Sequence, residues 1–237
     1  MYINKWCLKL NGHYPKHAFI NISEIPSKNE IESFIRLYIL EGIPYSFIEN
    51  TFIYDIIRTI ISEQLNIKYE NIFLTGSSKL GFSLSPYKWM KDFDKKCSDF
   101  DFFIISEDFF IKIKNDFLLW RKDFSEHIIV PTTAYQEKIW KEDEIRIKKN
   151  IDKGFIDIKN IPNKKKYKSV YACNNCINII SQKIQQIYLN TEVIIPQKIN
   201  FRIYKTKECA LKQIYLNIRS ALNNILEKNL AIPGTLE

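Results

Sequence analysis

The chain has 237 residues, 46% of them hydrophobic and 26% charged, with a net charge of +8. This is the composition of an ordinary globular protein, and the length suits one large domain or two small ones around a proper core. It excludes a membrane span, since no run approaches ~20 apolar residues. The opening MYINKWCLKLNGHYPKH lacks the apolar core of a signal peptide. The five cysteines are odd in number and scattered, which suits a reducing compartment better than a disulfide framework. A cytoplasmic protein with no membrane partner is expected.

The charge is unevenly placed. Residues 1–150 hold 21 Lys and Arg against 21 Asp and Glu, whereas residues 151–237 hold 14 against 6. The last 87 residues therefore carry the whole excess, a pattern that suits a polyanionic partner such as a nucleoside triphosphate or nucleic acid. Lys-rich solvated helices produce the same imbalance without any partner.

Along the chain, Ile31, Phe34, Ile35, Tyr38 and Ile39 follow helical spacing. Ser27 and Glu30 form a capping box ahead of them, and Gly42 is the expected stop. A second helix is predicted from Thr51 through YDIIRTIISEQL, followed by a short buried strand, NIFLT, over 71–75. Residues 85–97, SPYKWMKDFDKKC, have no period and read as a surface loop. DFDFFIIS (99–106) reads as a strand whose Ser106 caps the next helix. That helix carries Phe109, Phe110, Ile113, Phe117 and Trp120 on one face. A charged helix over 134–149 leads to a strand, FIDI (155–158), and KKKYK (164–168) reads as a loop. Ile177, Ile180, Ile184, Ile187 and Tyr188 mark a further helix. INFRIY (199–204) is the last predicted strand, and an amphipathic helix from Thr206 carries Leu211, Ile214, Ile218, Leu222 and Ile225. This order predicts an α/β protein of α+β type, a mixed sheet flanked by helices with a helical C-terminal half. The expected division is a core with N-terminal helices over 1–160 and a basic, mainly helical region over 161–237 packing on it.

Two features carry chemistry. Strand side chains alternate, so Asp99 and Asp101 share a face while Phe100, Phe102 and Ile104 enter a core. Two carboxylates ~6 Å apart repel by roughly 3 kcal/mol at an effective dielectric of ~20. A divalent cation removes that cost, and hard oxygen ligands suit Mg²⁺ or Mn²⁺. Phe103 and Ile105 share the acids' face, so water does not simply screen them. The second feature is TGSSKLGF (75–82), a strand ending in a Gly-Ser turn that enters a helix, which presents backbone N–H groups and hydroxyls to a phosphate. GSSKLGFS nearly matches the P-loop pattern, but Phe82 stands where the phosphate-binding lysine belongs.

At TGSSKLGFS and SDFDFFI the chain resembles the DNA polymerase β-type nucleotidyltransferase superfamily, over roughly residues 45–160. The stretch EGIPYSFIENTFIYDIIRTIISEQL is similar to bacterial nucleotidyltransferase-like proteins. The resemblance implies that Gly76, Ser77 and Ser78 contact the phosphates of ATP or another NTP. It also implies that Asp99 and Asp101 ligate two Mg²⁺ or Mn²⁺ ions. A nucleoside monophosphate would pass to a hydroxyl acceptor on RNA, protein or a small molecule, releasing pyrophosphate. The family's third carboxylate sits on a neighbouring strand, where FIDI offers Asp157 as a further catalytic metal ligand. The spacer between Gly81 and Asp99 is longer than in minimal members, which implies an inserted loop that covers the nucleotide or meets the acceptor.

Two other readings remain open on the sequence. One is a nucleotide-sensing or antitoxin-like module that keeps the pocket without turnover, with the direction of Asp157 as the discriminating feature. The other is a nucleic-acid-binding protein working through its basic C-terminal half. Cys173 and Cys176 form CNNC but lack the further ligands a structural zinc requires. His13, His17 and His127 sit near no nucleophile. Lys183 is a candidate for reaching a triphosphate; Arg202, Lys205 and Lys207 are expected to be solvated charges or to help bind an anion.

Overall fold

The computed structural model describes residues 16–20, 22–85, 88, 90–95, 97–162, 165–188 and 198–230. Cys7, His13 and part of the 85–97 loop lie outside them. Four strands, β1 (Ile72–Thr75), β2 (Phe100–Ile105), β3 (Phe155–Asp157) and β4 (Ile199–Tyr204), form one sheet in the order β1-β2-β4-β3. β1 and β2 are antiparallel, β2 and β4 parallel, and β4 and β3 antiparallel. The fold is α+β with a mixed sheet, as the order of elements predicts. Among the described residues no helix is long and apolar enough to cross a membrane.

Alternation along β2 assigns the two faces. Phe100, Phe102 and Ile104 enter a core built with α3 (Thr51–Leu65), α5 (Glu107–Ser125) and α7 (Lys168–Tyr188). Phe103 and Ile105 enter a second core with α2 (Lys28–Phe34) and α8 (Lys207–Leu230). The helices pack through the stripes read from spacing: Phe109, Phe110, Ile113, Phe117 and Trp120 on α5 are all buried, as are Ile214, Ile218, Leu222 and Ile225 on α8. Ser106 accepts a hydrogen bond from the Phe109 N–H at 3.2 Å, the expected cap. Phe102 is 1% exposed, edge-on to Phe201 with ring centroids 6.3 Å apart. Phe102→Ala is expected to cost about 3–5 kcal/mol, read from urea denaturation; a loss below ~1 kcal/mol would contradict this packing.

Three details depart from the sequence reading. β4 lies between β2 and β3, so residues after 160 complete the same sheet and the division at 160 falls inside it. The helix marked from Ile177 begins at Lys168, because Val170, Cys173 and Cys176 continue its buried stripe. The helix carrying Ile35 and Ile39 becomes a π-helix over Ile35–Leu40, ending with a five-residue bond from the Glu41 N–H to the Arg36 carbonyl at 3.0 Å.

Candidate functional site

The site lies where β1 ends and β2 begins. Thr75 pairs with Asp101 across the two strands, so the turn after β1 arrives beside that carboxylate. Gly76 makes the turn at φ 74°, ψ −156°, a conformation essentially reserved for glycine. A Cβ there would lie 3.4 Å from Asp101 Oδ2, so glycine brings the turn and the acid into close approach. The short helix α4 (Ser77–Leu80) follows, and the leading N–H groups of such a turn have no partner within it. Asp101 Oδ1 accepts a hydrogen bond from Asn200 Nδ2 at 2.9 Å, which leaves Oδ2 towards Gly76. Asp99, half-buried, stands one residue ahead of β2.

Gly76, Ser77, Asp99 and Asp101 all line one cavity of about 630 Å³. Ser78 does not. It is 1% exposed and its hydroxyl donates to the Thr75 carbonyl at 3.0 Å, so its side chain finishes the strand. The described part of the inserted loop forms one rim, with Lys88, Lys91 and Asp92 among the lining residues. Asn200 and Arg202 of β4, Lys159 just beyond β3, and Asn217 and Ser220 of α8 line it too. Lys183 is exposed on α7, which packs against the other face of the sheet. Lys205 is paired with Glu107 at 3.4 Å. Cys173 and Cys176 are core thiols on α7, and burial pushes the Cys176 thiol up to about 12.

Asp157, expected as the third carboxylate, has an ion-pair partner of its own. It faces the cavity, on the same side of the sheet as Asp101, but β4 lies between their strands. The strand adjoining β2 presents Asn200 opposite Asp101 and Arg202 opposite Phe103. Asp157 is instead opposite Arg202 and accepts from its Nε at 2.6 Å and Nη2 at 3.0 Å. This two-point pairing occupies both carboxylate oxygens, so a cation would have to compete with the guanidinium for them. Among the described residues no group of three or more His, Cys, Asp or Glu side chains is placed to hold a metal. The sequence offers Arg202 only as a solvated charge or an anion-binding candidate; its pairing with Asp157 has no local signal, because 41 residues separate the end of β3 from the start of β4.

Lys79, inside the turn motif, has a structural position. It is 3% exposed, and Nζ donates to the Glu41 and Gly42 carbonyls at 2.5 and 2.7 Å, finishing the π-helix. Burial, aided by the charge of Arg58, lowers its pKa to about 8. The neutral amine still has two N–H groups for two carbonyls. The unfolded value is ~10.4, so between the two values the unfolded chain binds more protons and stability rises with pH. A Lys79 ¹³Cε titration is expected to have its midpoint near 8, with the stability gap between wild type and Lys79→Met widening from there to ~10.4. A midpoint at the ordinary lysine value would contradict the burial argument.

No family model, curated protein or solved structure matches this chain.

Proposed function

We propose that the cavity binds a nucleoside triphosphate with a divalent cation and transfers its nucleotidyl group to a hydroxyl acceptor. The observation that carries this reading is the packing of the Gly76–Ser77 turn against the Asp101 carboxylate within one cavity. The lining residues fit a cation. Neither Asp99 nor Asp101 has a Lys, Arg or His within ion-pair distance among the described residues. Mg²⁺ is commonly held by one or two carboxylates together with substrate phosphates. Asp99 and Asp101 would hold it; the second ion implied by the family resemblance has no third carboxylate, because Asp157 belongs to Arg202. When bound, the cation offsets charge on the transferring phosphoryl group.

The chain's own residues bind and orient. Ser77 and the backbone N–H groups of the turn hold the terminal phosphates, and Asn200 fixes the Asp101 carboxyl by its hydrogen bond. The acceptor oxygen bonds to the α-phosphorus as the bond to the bridging oxygen of the β-phosphate breaks. Pyrophosphate leaves, and the acceptor proton passes to water.

A second reading, nucleotide binding without turnover, is favoured by one observation: Asp157, the carboxylate expected on the nucleophile side, is paired with Arg202. The two readings separate on incubation with each α-labelled NTP and Mg²⁺ or Mn²⁺ beside an Asp99→Ala/Asp101→Ala control. Pyrophosphate release that disappears in the control supports transfer. Metal-dependent NTP binding without release, across RNA, protein and small-molecule acceptors, supports the second reading.

A further inference from the structure

The side of the cavity away from the Gly76–Ser77 turn is organised around one arginine. Arg202 lies on β4, beyond β2 as seen from β1, so the strand that carries Asp101 lies between the strand ending in the turn and the strand carrying this guanidinium. Three partners fix its plane: Asp157 through two hydrogen bonds, the Phe155 ring 4.6 Å from the guanidinium carbon, and the Tyr204 hydroxyl 3.5 Å from Nη1. Guanidinium has five N–H donors in a rigid fork. Asp157 takes one on Nε and one on Nη2, so donors remain on both terminal nitrogens of a side chain that is 33% exposed and lines the cavity. Lys159, exposed just beyond β3, lines it too. A planar, oriented guanidinium sharing a cavity with an ammonium suits phosphate recognition.

We infer that Arg202, oriented by Asp157 and joined by Lys159, is a second anion site that takes a phosphate ester of the acceptor. Asp157 is then a positioning residue and not a metal ligand. This rests on the nucleotidyl-transfer reading for the word acceptor, and on geometry alone for the anion site. The acceptor is a molecule that carries phosphate beside its hydroxyl, not an unphosphorylated protein side chain or an amino sugar. A free mononucleotide and the end of an RNA share that chemistry.

The test uses the full chain, saturated with Mg²⁺ and a non-hydrolysable NTP analogue, and titrated with inorganic phosphate. The Arg202 Nε–Hε NMR signal reports binding. Phosphate is expected to shift that signal while the analogue stays bound. Arg202→Gln combined with Asp157→Asn leaves no unpaired buried charge; it is expected to weaken phosphate by about tenfold or more, the loss of a charged hydrogen bond. The analogue's affinity stays unchanged in that variant. Asp157→Asn alone is expected to weaken phosphate and to keep the full number of bound Mn²⁺ ions. Uridine monophosphate and a short oligouridylate then show which source of phosphate binds more tightly, with either preference supporting the site.

Displacement of the analogue by phosphate would place Arg202 in the triphosphate site and overturn the inference. So would unchanged phosphate affinity in the double variant, or loss of a Mn²⁺ ion in Asp157→Asn. NTP binding with no phosphate shift sinks this inference and spares the transfer reading. A phosphate shift in a protein that binds no NTP does the reverse: the anion site stands and the transfer reading falls.

Discussion

Asp101→Asn is expected to lower NTP turnover on the order of 10³-fold while leaving the fold intact. The carboxylate is one of two cavity-lining acids with no ion-pair partner among the described residues, Asp92 and Asp157 being paired, and a divalent cation contributes several kcal/mol to stabilising transferring phosphoryl charge, each ~1.4 kcal/mol being tenfold in rate. The amide keeps the shape, and its oxygen still accepts from Asn200, 2.9 Å away in the native protein. Loss of one charge also relieves repulsion with Asp99. The urea midpoint should therefore move by no more than ~1 kcal/mol equivalent. Pyrophosphate release is the readout, and full activity in this variant would remove Asp101 from the chemistry.

Arg202→Met is expected to destabilise the protein by about 2–3 kcal/mol. It leaves Asp157, 13% exposed, as a nearly buried carboxylate without its partner, and breaking a fully buried pair costs ~3–5 kcal/mol. The lower figure reflects Arg202's one-third exposure. Combining it with Asp157→Leu should cost less than the sum of the two single changes, with a coupling of roughly 1–3 kcal/mol. Denaturation of wild type, both single variants and the double variant measures this directly. Coupling near zero would make the pair an ordinary surface ion pair.

Local pattern carried most of the legible information. The capping box at Ser27 and Glu30 is present in the structure because both halves of that signal are close in sequence. The strand–turn–strand around Gly76 and Asp101 was readable for the same reason: a period of two and a glycine at the break describe the geometry without distant partners. The apolar stripes of α5 and α8 needed only their helical spacing. What escaped the reading depends on pairing across distance. β4 inserts between β2 and β3, and the sequence of INFRIY says nothing about which strands flank it. That one fact moves Asp157 a strand further from Asp101 and supplies it with Arg202. The resemblance implies that Ser78 contacts phosphate, yet its hydroxyl is turned onto a backbone carbonyl, as is the ammonium of the neighbouring Lys79. Only the three-dimensional course of the chain places those carbonyls within reach. The first turns of α7 were missed because two asparagines and two cysteines obscure a stripe that burial makes plain.

The most direct test of the central claim is a Mn²⁺ titration followed by electron paramagnetic resonance, with and without a non-hydrolysable NTP analogue. The account predicts Mn²⁺ binding that tightens when the analogue is present and disappears in Asp99→Asn/Asp101→Asn. Equal binding in wild type and that variant, or no change on adding the analogue, would contradict a metal–triphosphate site at these two acids.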